Sequence, residues 1–167
     1  MSIEELNNLS AEKTIEELFK CCGSTMWATK LATNKPFKNT QQLLEISDKI
    51  WMDCSKPDGL EAFTHHPKIG DVKTLEKKFA STKEWAGKEQ AGVDLATHAT
   101  LKKLAEGNQT YENKFGFIFI VCATGKTANQ MLVLLNARLP NNPETEFKIA
   151  MQEQNKITHI RLEKLLS

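Results

Sequence analysis

The sequence lacks the long apolar stretch that a membrane-spanning helix requires. None of its apolar runs approaches the roughly 20 residues needed to cross a bilayer, although the chain has 167 residues. Its start, MSIEELNNLS, has neither the basic segment nor the apolar segment of a secretory signal peptide. We therefore expect a protein that does not associate with membranes and that is located in the cytoplasm.

The chain also lacks an excess of charge of either sign. Its 22 lysine and arginine residues nearly cancel its 21 aspartate and glutamate residues. A balance of this kind produces no strong field that would attract nucleic acid, anionic lipid or a polybasic partner. We expect no nucleic-acid partner, and any charge selectivity must come from a local site.

Cysteines are few and have no regular spacing. Cys21 and Cys22 are adjacent and lack the two-residue spacing of a redox pair, and Cys54 and Cys122 stand far apart in the sequence. Free thiols in a reducing compartment explain this pattern best, with Cys21 and Cys22 as small buried apolar residues. Apart from the adjacent His65 and His66, no cluster of zinc ligands occurs at a familiar spacing, so no metal site is predicted.

Helical spacing of apolar residues dominates the chain. The length and the 40% apolar content fit one domain over residues 1–167. We predict an all-α, single compact multi-helix domain. Four helices should precede a turn at Lys56–Gly59, and the later helices are predicted at residues 72–79, 84–106, 127–139 and 143–165.

Two segments are predicted to be non-helical. Residues 115–122, FGFIFIVC, have strand propensity but no evident partner strand, so a buried extended segment is expected. His66 directly precedes Pro67, which disfavours helical geometry at His66. His66 should therefore lie at a helix end or in an extended turn.

The His65–His66 pair leaves several interpretations open. An imidazole can act as acid, base or metal ligand near neutral pH. From residue chemistry alone, the favoured interpretation is a simple turn that ends a helix and contains two partly exposed histidines. A shared metal ion is disfavoured, because adjacent side chains rarely converge on one ion.

Three further features could bind a ligand. Glu89 and Gln90 lie among small residues that would let a ligand approach, although charged helical residues are usually solvated. Arg161 follows Ile157 by one turn, which places a guanidinium beside an inward-facing stripe or at the surface. The string Gly125-Lys126-Thr127 is similar to the end of a phosphate-binding loop, but Ile120 stands where that motif requires glycine. Nucleotide binding is therefore a weak alternative.

Several strings occur together, and in order, as in one known family. They are residues 19–24 (FKCCGS) followed by Trp27, residues 66–71 (HPKIGD), residues 89–92 (EQAG), residues 115–122 (FGFIFIVC) and residues 157–162 (ITHIRL). With these strings the chain resembles the 2-oxo-4-hydroxy-4-carboxy-5-ureidoimidazoline (OHCU) decarboxylases, which complete the conversion of urate to (S)-allantoin. The resemblance runs almost from end to end.

The resemblance implies an all-α lyase that needs neither a metal nor an organic cofactor and is frequently a homodimer. It also implies a small-molecule substrate and cytoplasmic purine metabolism. The histidine directly before the proline is the family's catalytic residue, which assigns acid/base catalysis to His66. The resemblance also implies a catalytic role for Glu89. It implies that the substrate is bound by Pro67, Gln90, Phe119, Ile120 and Arg161.

Two positions depart from the family pattern. Many members have a serine three residues before the glutamate, where this chain has Ala86, and a proline where it has Ile118. Neither change removes an acid or base, but both could alter affinity for the substrate. The alternative from a different class is a helical binding module without catalysis, in which the same histidine and arginine contact a partner.

Overall fold

In the computed structural model the described residues are 1–67, 71–79 and 90–167, without the side chains of 90–96. Within these ranges every regular element is an α-helix, which confirms the all-α prediction. The helices are α1 (Ile3–Asn8), α2 (Ala11–Cys21), α3 (Thr25–Ala32), α4 (Thr40–Met52), α5 (Lys56–Thr64), α6 (Val72–Phe79), α7 (Gln90–Phe115), α8 (Ala128–Arg138) and α9 (Pro143–Leu165).

The backbone divides into two compact units. The first unit contains residues 1–66 and 149–167, and the second contains residues 67–148. In the first unit, helices α2, α3 and α4 bury Leu18, Trp27 and Trp51 in one apolar cluster that also includes Leu162 of α9. Trp27 and Trp51 are therefore core residues. Trp85 lies outside the described residues.

Polar side chains cap the N-termini of the early helices. Ser2 accepts a hydrogen bond from the backbone N–H of Glu5, and the Glu5 carboxylate accepts one from Ser2 in return. Ser10 and Ser24 accept corresponding bonds at α2 and α3. These bonds satisfy donors that have no partner within the helix.

The predicted turn at Lys56–Gly59 is wrong, because these residues form the first turn of α5. Ser55 caps the helix, and Asp58 accepts a hydrogen bond from the backbone N–H of Ser55 at 2.8 Å. Pro57 falls in the first turn, where a missing N–H costs no helical hydrogen bond. The same residues that favour a turn thus begin a helix when a capping serine precedes them.

The polar helix predicted to end near residue 106 continues to Phe115, and its predicted start falls among residues outside the described ranges. Leu101 and Leu104 of this helix are each 1% exposed. Beyond Gly116, whose φ is +78°, residues 117–123 are neither helix nor strand. Phe117 and Ile120 of this stretch are buried. The prediction of a buried non-helical segment therefore holds from residue 117 onwards, whereas its first residue, Phe115, belongs to α7.

The four cysteines are free thiols. Burial raises the pKa of Cys21 to about 11 and that of Cys22 to about 12. Both therefore stay protonated at neutral pH and behave as small apolar residues, as predicted. Among the described residues, none of the helices is both long and apolar enough to cross a membrane.

Candidate active site

His66 is the second residue after the C-terminus of α5. Helix α5 ends at Thr64, and the backbone N–H of His66 donates to the carbonyl of Phe63 at 3.3 Å. The His66 side chain is half-buried. The prediction that the residue before Pro67 lies at a helix end is confirmed, and the backbone of His66 is hydrogen-bonded to the last turn of α5.

The neighbouring His65 is a packing residue. Its ring contacts Phe19 edge-on, with ring centroids 4.8 Å apart and an interplanar angle of 76°. Gly23 lies under the same imidazole, and a Cβ built on that glycine would be 2.5 Å from the Cβ of His65. The side chain of His65 therefore occupies space that is open only because residue 23 is a glycine. This distinguishes its surroundings from those of His66.

His66 contacts a buried glutamine that the sequence analysis did not single out. The Nε2 atom of His66 lies 2.5 Å from Oε1 of Gln154. Gln154 is on α9 and is 0% exposed, and Thr158 follows it one turn later at 1% exposed. The sequence signal was a glutamine and a threonine at i and i+4, followed by Arg161 at i+7, on one face of the last helix.

Burial lowers the pKa of the His66 imidazole below its ordinary value of 6.5. The hydrogen bond to Gln154 opposes this shift, whereas the positive charge of Arg161 and the neighbouring His65 add to it. Removing an imidazolium from water is costly, so the neutral ring is favoured. At physiological pH His66 is therefore in the form that can accept a proton.

Arg161 is partly buried beside the end of α2. Its Nη1 donates to the backbone carbonyl of Cys21, the last residue of α2, at 3.3 Å. A guanidinium has five donors, so this one bond leaves capacity to bind an anion. Within the first unit the fold brings together His66, Gln154 and Arg161.

Two predicted substrate-binding residues, Phe119 and Ile120, belong to the non-helical segment of the second unit. Arg138 of α8 fixes both of them. Its Nη1 donates to the carbonyl of Ile120 at 2.7 Å, and its guanidinium carbon lies 4.6 Å from the centroid of the Phe119 ring. A planar guanidinium can do both at once because it stacks with its face and donates with its edge.

Arg138 is itself held by a buried polar network. It donates from Nε to the Glu146 carboxylate at 2.6 Å, and the hydroxyl of Tyr111 donates to the same carboxylate. Asn141 donates to the second Glu146 oxygen at 2.9 Å. Burial and the Glu146 hydrogen bond raise the pKa of Tyr111. The network fixes the segment that contains Phe119 and Ile120 without exposing any charge to solvent.

The remaining predicted site residues are described only in part. Glu89 and Ala86 lie outside the described residues. Gln90 is the first residue of α7, and its side chain is not described. Pro67 is exposed and belongs to the second unit. The roles of these residues stay predictions.

The loop that is similar to a phosphate-binding motif has its own internal hydrogen bonds. Lys126 donates from Nζ to the carbonyl of Cys122 at 2.7 Å. The backbone N–H groups of Thr127 and Gln130 are occupied by a reciprocal capping box. A phosphate would have to displace these bonds, so the geometry favours the interpretation as a capped helix N-terminus.

No group of three histidine, cysteine or acidic side chains is arranged to hold a metal ion in the part of the chain that the structure describes. The described site chemistry therefore consists of an imidazole, an amide and a guanidinium.

Comparison with known proteins decides the family. The family model described as OHCU decarboxylase matches residues 7–163. The chain belongs to the OHCU decarboxylase family. A crystal structure titled OHCU decarboxylase in the presence of (S)-allantoin has the same fold, with a TM-score of 0.73 and 37% identity, over 90% of this chain and 97% of that one.

Curated relatives of this OHCU decarboxylase family member differ in length. The uric acid degradation bifunctional protein TTL of Arabidopsis thaliana is 35% identical over 147 residues, which are 88% of this chain and 45% of the plant protein. The 2-oxo-4-hydroxy-4-carboxy-5-ureidoimidazoline decarboxylase of Halalkalicoccus jeotgali is 26% identical over 99% of this chain and 92% of its own length. The chain thus spans less than half of the plant protein and nearly all of the archaeal one.

Proposed function

We propose that this chain decarboxylates 2-oxo-4-hydroxy-4-carboxy-5-ureidoimidazoline to (S)-allantoin without a cofactor, with His66 as the group that moves the proton. The observation that carries the proposal is the half-buried His66, directly before Pro67, in a chain that the family model matches over residues 7–163. The printed names of the relatives and the allantoin in the related crystal structure support the choice of substrate and product.

The chemistry of the substrate explains why no cofactor is needed. Breaking the bond between the ring carbon and the carboxylate releases carbon dioxide and leaves an electron pair. The conjugated ring with its imine accepts that pair, so the protein need not supply an electron sink. The protein must bind the anion, hold its carboxylate out of the ring plane and control where protons leave and arrive.

His66 is suited to the proton transfer because its imidazole is held neutral by burial, which lowers its pKa. A neutral imidazole can accept the proton of the substrate hydroxyl as the product carbonyl forms, and can return it to the ring carbon that becomes the stereocentre. The electron pair that carbon dioxide leaves on the imine nitrogen is neutralised by one further proton, which water supplies. Delivery from one side would set the handedness of allantoin. The Arg161 guanidinium would bind a carboxylate or ureido oxygen.

Glu89 and Gln90 complete the proposed site. Glu89 would orient the His66 imidazole or the ureido group, and Gln90, Pro67, Phe119 and Ile120 would contact the substrate. These assignments come from the resemblance to the family. We also propose that the protein is a cytoplasmic homodimer, which sedimentation of the purified chain and its location in intact cells would test.

The test of the proposed function is allantoin formation from freshly generated substrate. The purified chain should release carbon dioxide and form (S)-allantoin faster than the spontaneous reaction, and a folded His66→Asn variant should not. Dialysis against a strong chelator should leave the rate unchanged. Activity that disappears on dialysis and returns with zinc would contradict the cofactor-free mechanism, and no acceleration by the wild-type chain would contradict the proposed function.

A further inference from the structure

A glutamine on the inward face of a core helix lowers stability unless its amide is hydrogen-bonded. Gln154 and Thr158 are 0% and 1% exposed, and a buried polar group is costly unless its hydrogen bonds are satisfied. Leucine or methionine would fill the same space without that cost. The only described partner of the Gln154 side-chain oxygen is the imidazole of His66, at 2.5 Å. This arrangement indicates that the function of the Gln154 amide is to position the imidazole of His66.

The orientation of the Gln154 amide is fixed by Thr158. The hydroxyl of Thr158 donates its single hydrogen to the backbone carbonyl of Gln154 at 3.0 Å. The hydroxyl oxygen of Thr158 has no second hydrogen, so it can only accept a hydrogen bond from the Gln154 amide, whose Nε2 is 3.2 Å away. The amide NH₂ therefore faces Thr158, and the amide oxygen faces His66. Cys22 also lies near Thr158, but its thiol, whose pKa burial raises to about 12, remains protonated and does not draw the hydroxyl hydrogen away.

An amide oxygen can only accept a hydrogen bond. Nε2 of His66 must therefore be the donor in the contact with Gln154, and in a neutral ring the other nitrogen, Nδ1, then has no hydrogen. The two ring nitrogens thus differ before any substrate arrives. Nε2 is bound to Gln154, and Nδ1 is left as the acceptor for the substrate. Of the two roles proposed for Glu89, this leaves the contact with the ureido group.

We propose that Gln154 is a positioning residue that holds His66 in the Nε2–H tautomer, so that Nδ1 is the nitrogen that exchanges protons with the substrate. The inference rests on the proposed function of His66 and adds the residue that selects the reactive atom. Thr158 contributes indirectly, because its hydroxyl prevents a flip of the amide that would exchange the positions of its oxygen and nitrogen. The charged and titratable groups that act on His66 within the first unit are Arg161 and His65. A guanidinium has no acceptor, and the described contact of the His65 ring is with Phe19.

The first measurement uses the protein without substrate. In ¹⁵N-labelled wild-type protein above the pKa of His66, the imidazole should show a protonated Nε2 and an unprotonated Nδ1. In Gln154→Met the acceptor is lost, and the ring should show a mixture of both tautomers. Gln152→Met is the matched control, because Gln152 is an exposed glutamine on the same helix, and it should retain the wild-type spectrum.

The second measurement is turnover. Gln154→Met should lower kcat roughly tenfold or more, the scale expected when the partner that orients a histidine is removed, with a smaller change in KM. Gln152→Met should be unchanged. Gln154→Glu keeps an acceptor, so it should retain most of the turnover, and its negative charge should move the pH limb assigned to His66 to higher pH. Thr158→Val should show an intermediate loss.

The outcomes separate this inference from the proposed function. A wild-type His66 with its proton on Nδ1 would overturn the inference whatever the activity. A mixed tautomer in folded Gln154→Met with normal kcat would overturn it as well. A wild-type chain that does not act on the substrate would refute the proposed function and with it the role of Nδ1 in catalysis, while the spectrum would still decide the tautomer. If Gln154→Met does not fold, Thr158→Val tests the inference instead, because its amide can flip and the ring should then show a mixture of both tautomers with a lower kcat. A single Nε2–H tautomer with normal kcat in Thr158→Val would overturn the inference.

Discussion

At the scale of single residues, His65 and His66 are adjacent in sequence and different in surroundings. His65 packs against Phe19 and Gly23, whereas Nε2 of His66 is hydrogen-bonded to Gln154. A substitution of each histidine should therefore affect a different property of the protein. This difference makes the pair a natural internal control.

We expect His66→Asn to lower turnover by roughly 100-fold or more, the usual scale for loss of a general acid or base. His65→Asn should cost much less turnover and should instead reduce thermal stability, because it removes a ring contact. The pH profile should lose its acid limb, which lies below the ordinary imidazole pKa of 6.5 because burial lowers the pKa of His66, only in His66→Asn. Steady-state kinetics and thermal unfolding of both variants would check this, and equal losses of turnover would contradict the assignment.

Arg161 should contribute to substrate binding. Arg161→Ala should raise KM, and Arg161→Lys should recover only part of the loss, since a point charge does not reproduce a two-pronged donor. Because Arg161 also donates to the carbonyl of Cys21, each variant needs a thermal unfolding curve beside its kinetics. Full activity in Arg161→Ala would exclude this residue from the site.

At the scale of secondary-structure elements, the Arg138–Glu146 pair links α8 and α9 to the segment that contains Ile120. Glu146 is 0% exposed and Arg138 is 8% exposed. Removing one partner leaves the other charge buried without compensation, which costs about 3–5 kcal/mol in comparable pairs.

Arg138→Met should therefore lower the free energy of unfolding by about that amount. The double variant Arg138→Met/Glu146→Leu should lose less than the single variant, because no unpaired charge remains. Denaturant titration measures both. A double variant that is destabilised by the sum of two independent losses would contradict the view that the pair acts as one unit.

Helix positions were largely predictable from sequence, because each depends on local chemistry. Ser2, Ser10 and Ser24 cap helices as their spacing indicates. The failure at Lys56–Gly59 has a local cause too: Pro57 and Gly59 favour both a turn and a helix start, and the capping pair Ser55–Asp58 decides between them. Propensity alone cannot rank two structures that use the same residues.

The candidate site was less predictable than the fold. His66 and Arg161 could be named through the family resemblance, but Gln154 and Arg138 could not, because their partners are distant in sequence. Gln154 lies 88 residues from His66, and Arg138 lies 18 residues from Ile120. A polar residue on an inward helix face shows that a partner must exist, but only the tertiary structure shows which one.

At the scale of the whole molecule, His66 should make stability depend on pH. Its pKa in the folded protein is below the ordinary value, and burial is the main cause. The unfolded chain therefore takes up a proton first as pH falls through about 6.5. The stability contribution is complete above this value and is lost as pH decreases towards the pKa of the folded state.

The free energy of unfolding of the wild type should accordingly fall between about pH 7 and pH 5 more steeply than that of His66→Asn. Denaturant titrations at several pH values measure the two slopes, and the other titrating groups cancel in the difference. Parallel curves for the two proteins would contradict a lowered pKa for His66.

The contact between Gly23 and His65 has a consequence for how this sequence can evolve. A methyl group at position 23 would meet the Cβ of His65 at 2.5 Å, so Gly23→Ala is expected to be harmful in the present background. The obstacle is the ring and Cβ of residue 65, and Gly23→Ala combined with His65→Gly should be tolerated better than Gly23→Ala alone. The two positions are therefore epistatic, and the order of substitution matters. His65 must be replaced by a smaller residue before Gly23 can be replaced by a larger one. A double-mutant cycle in unfolding free energy would show this coupling as a deviation from additivity.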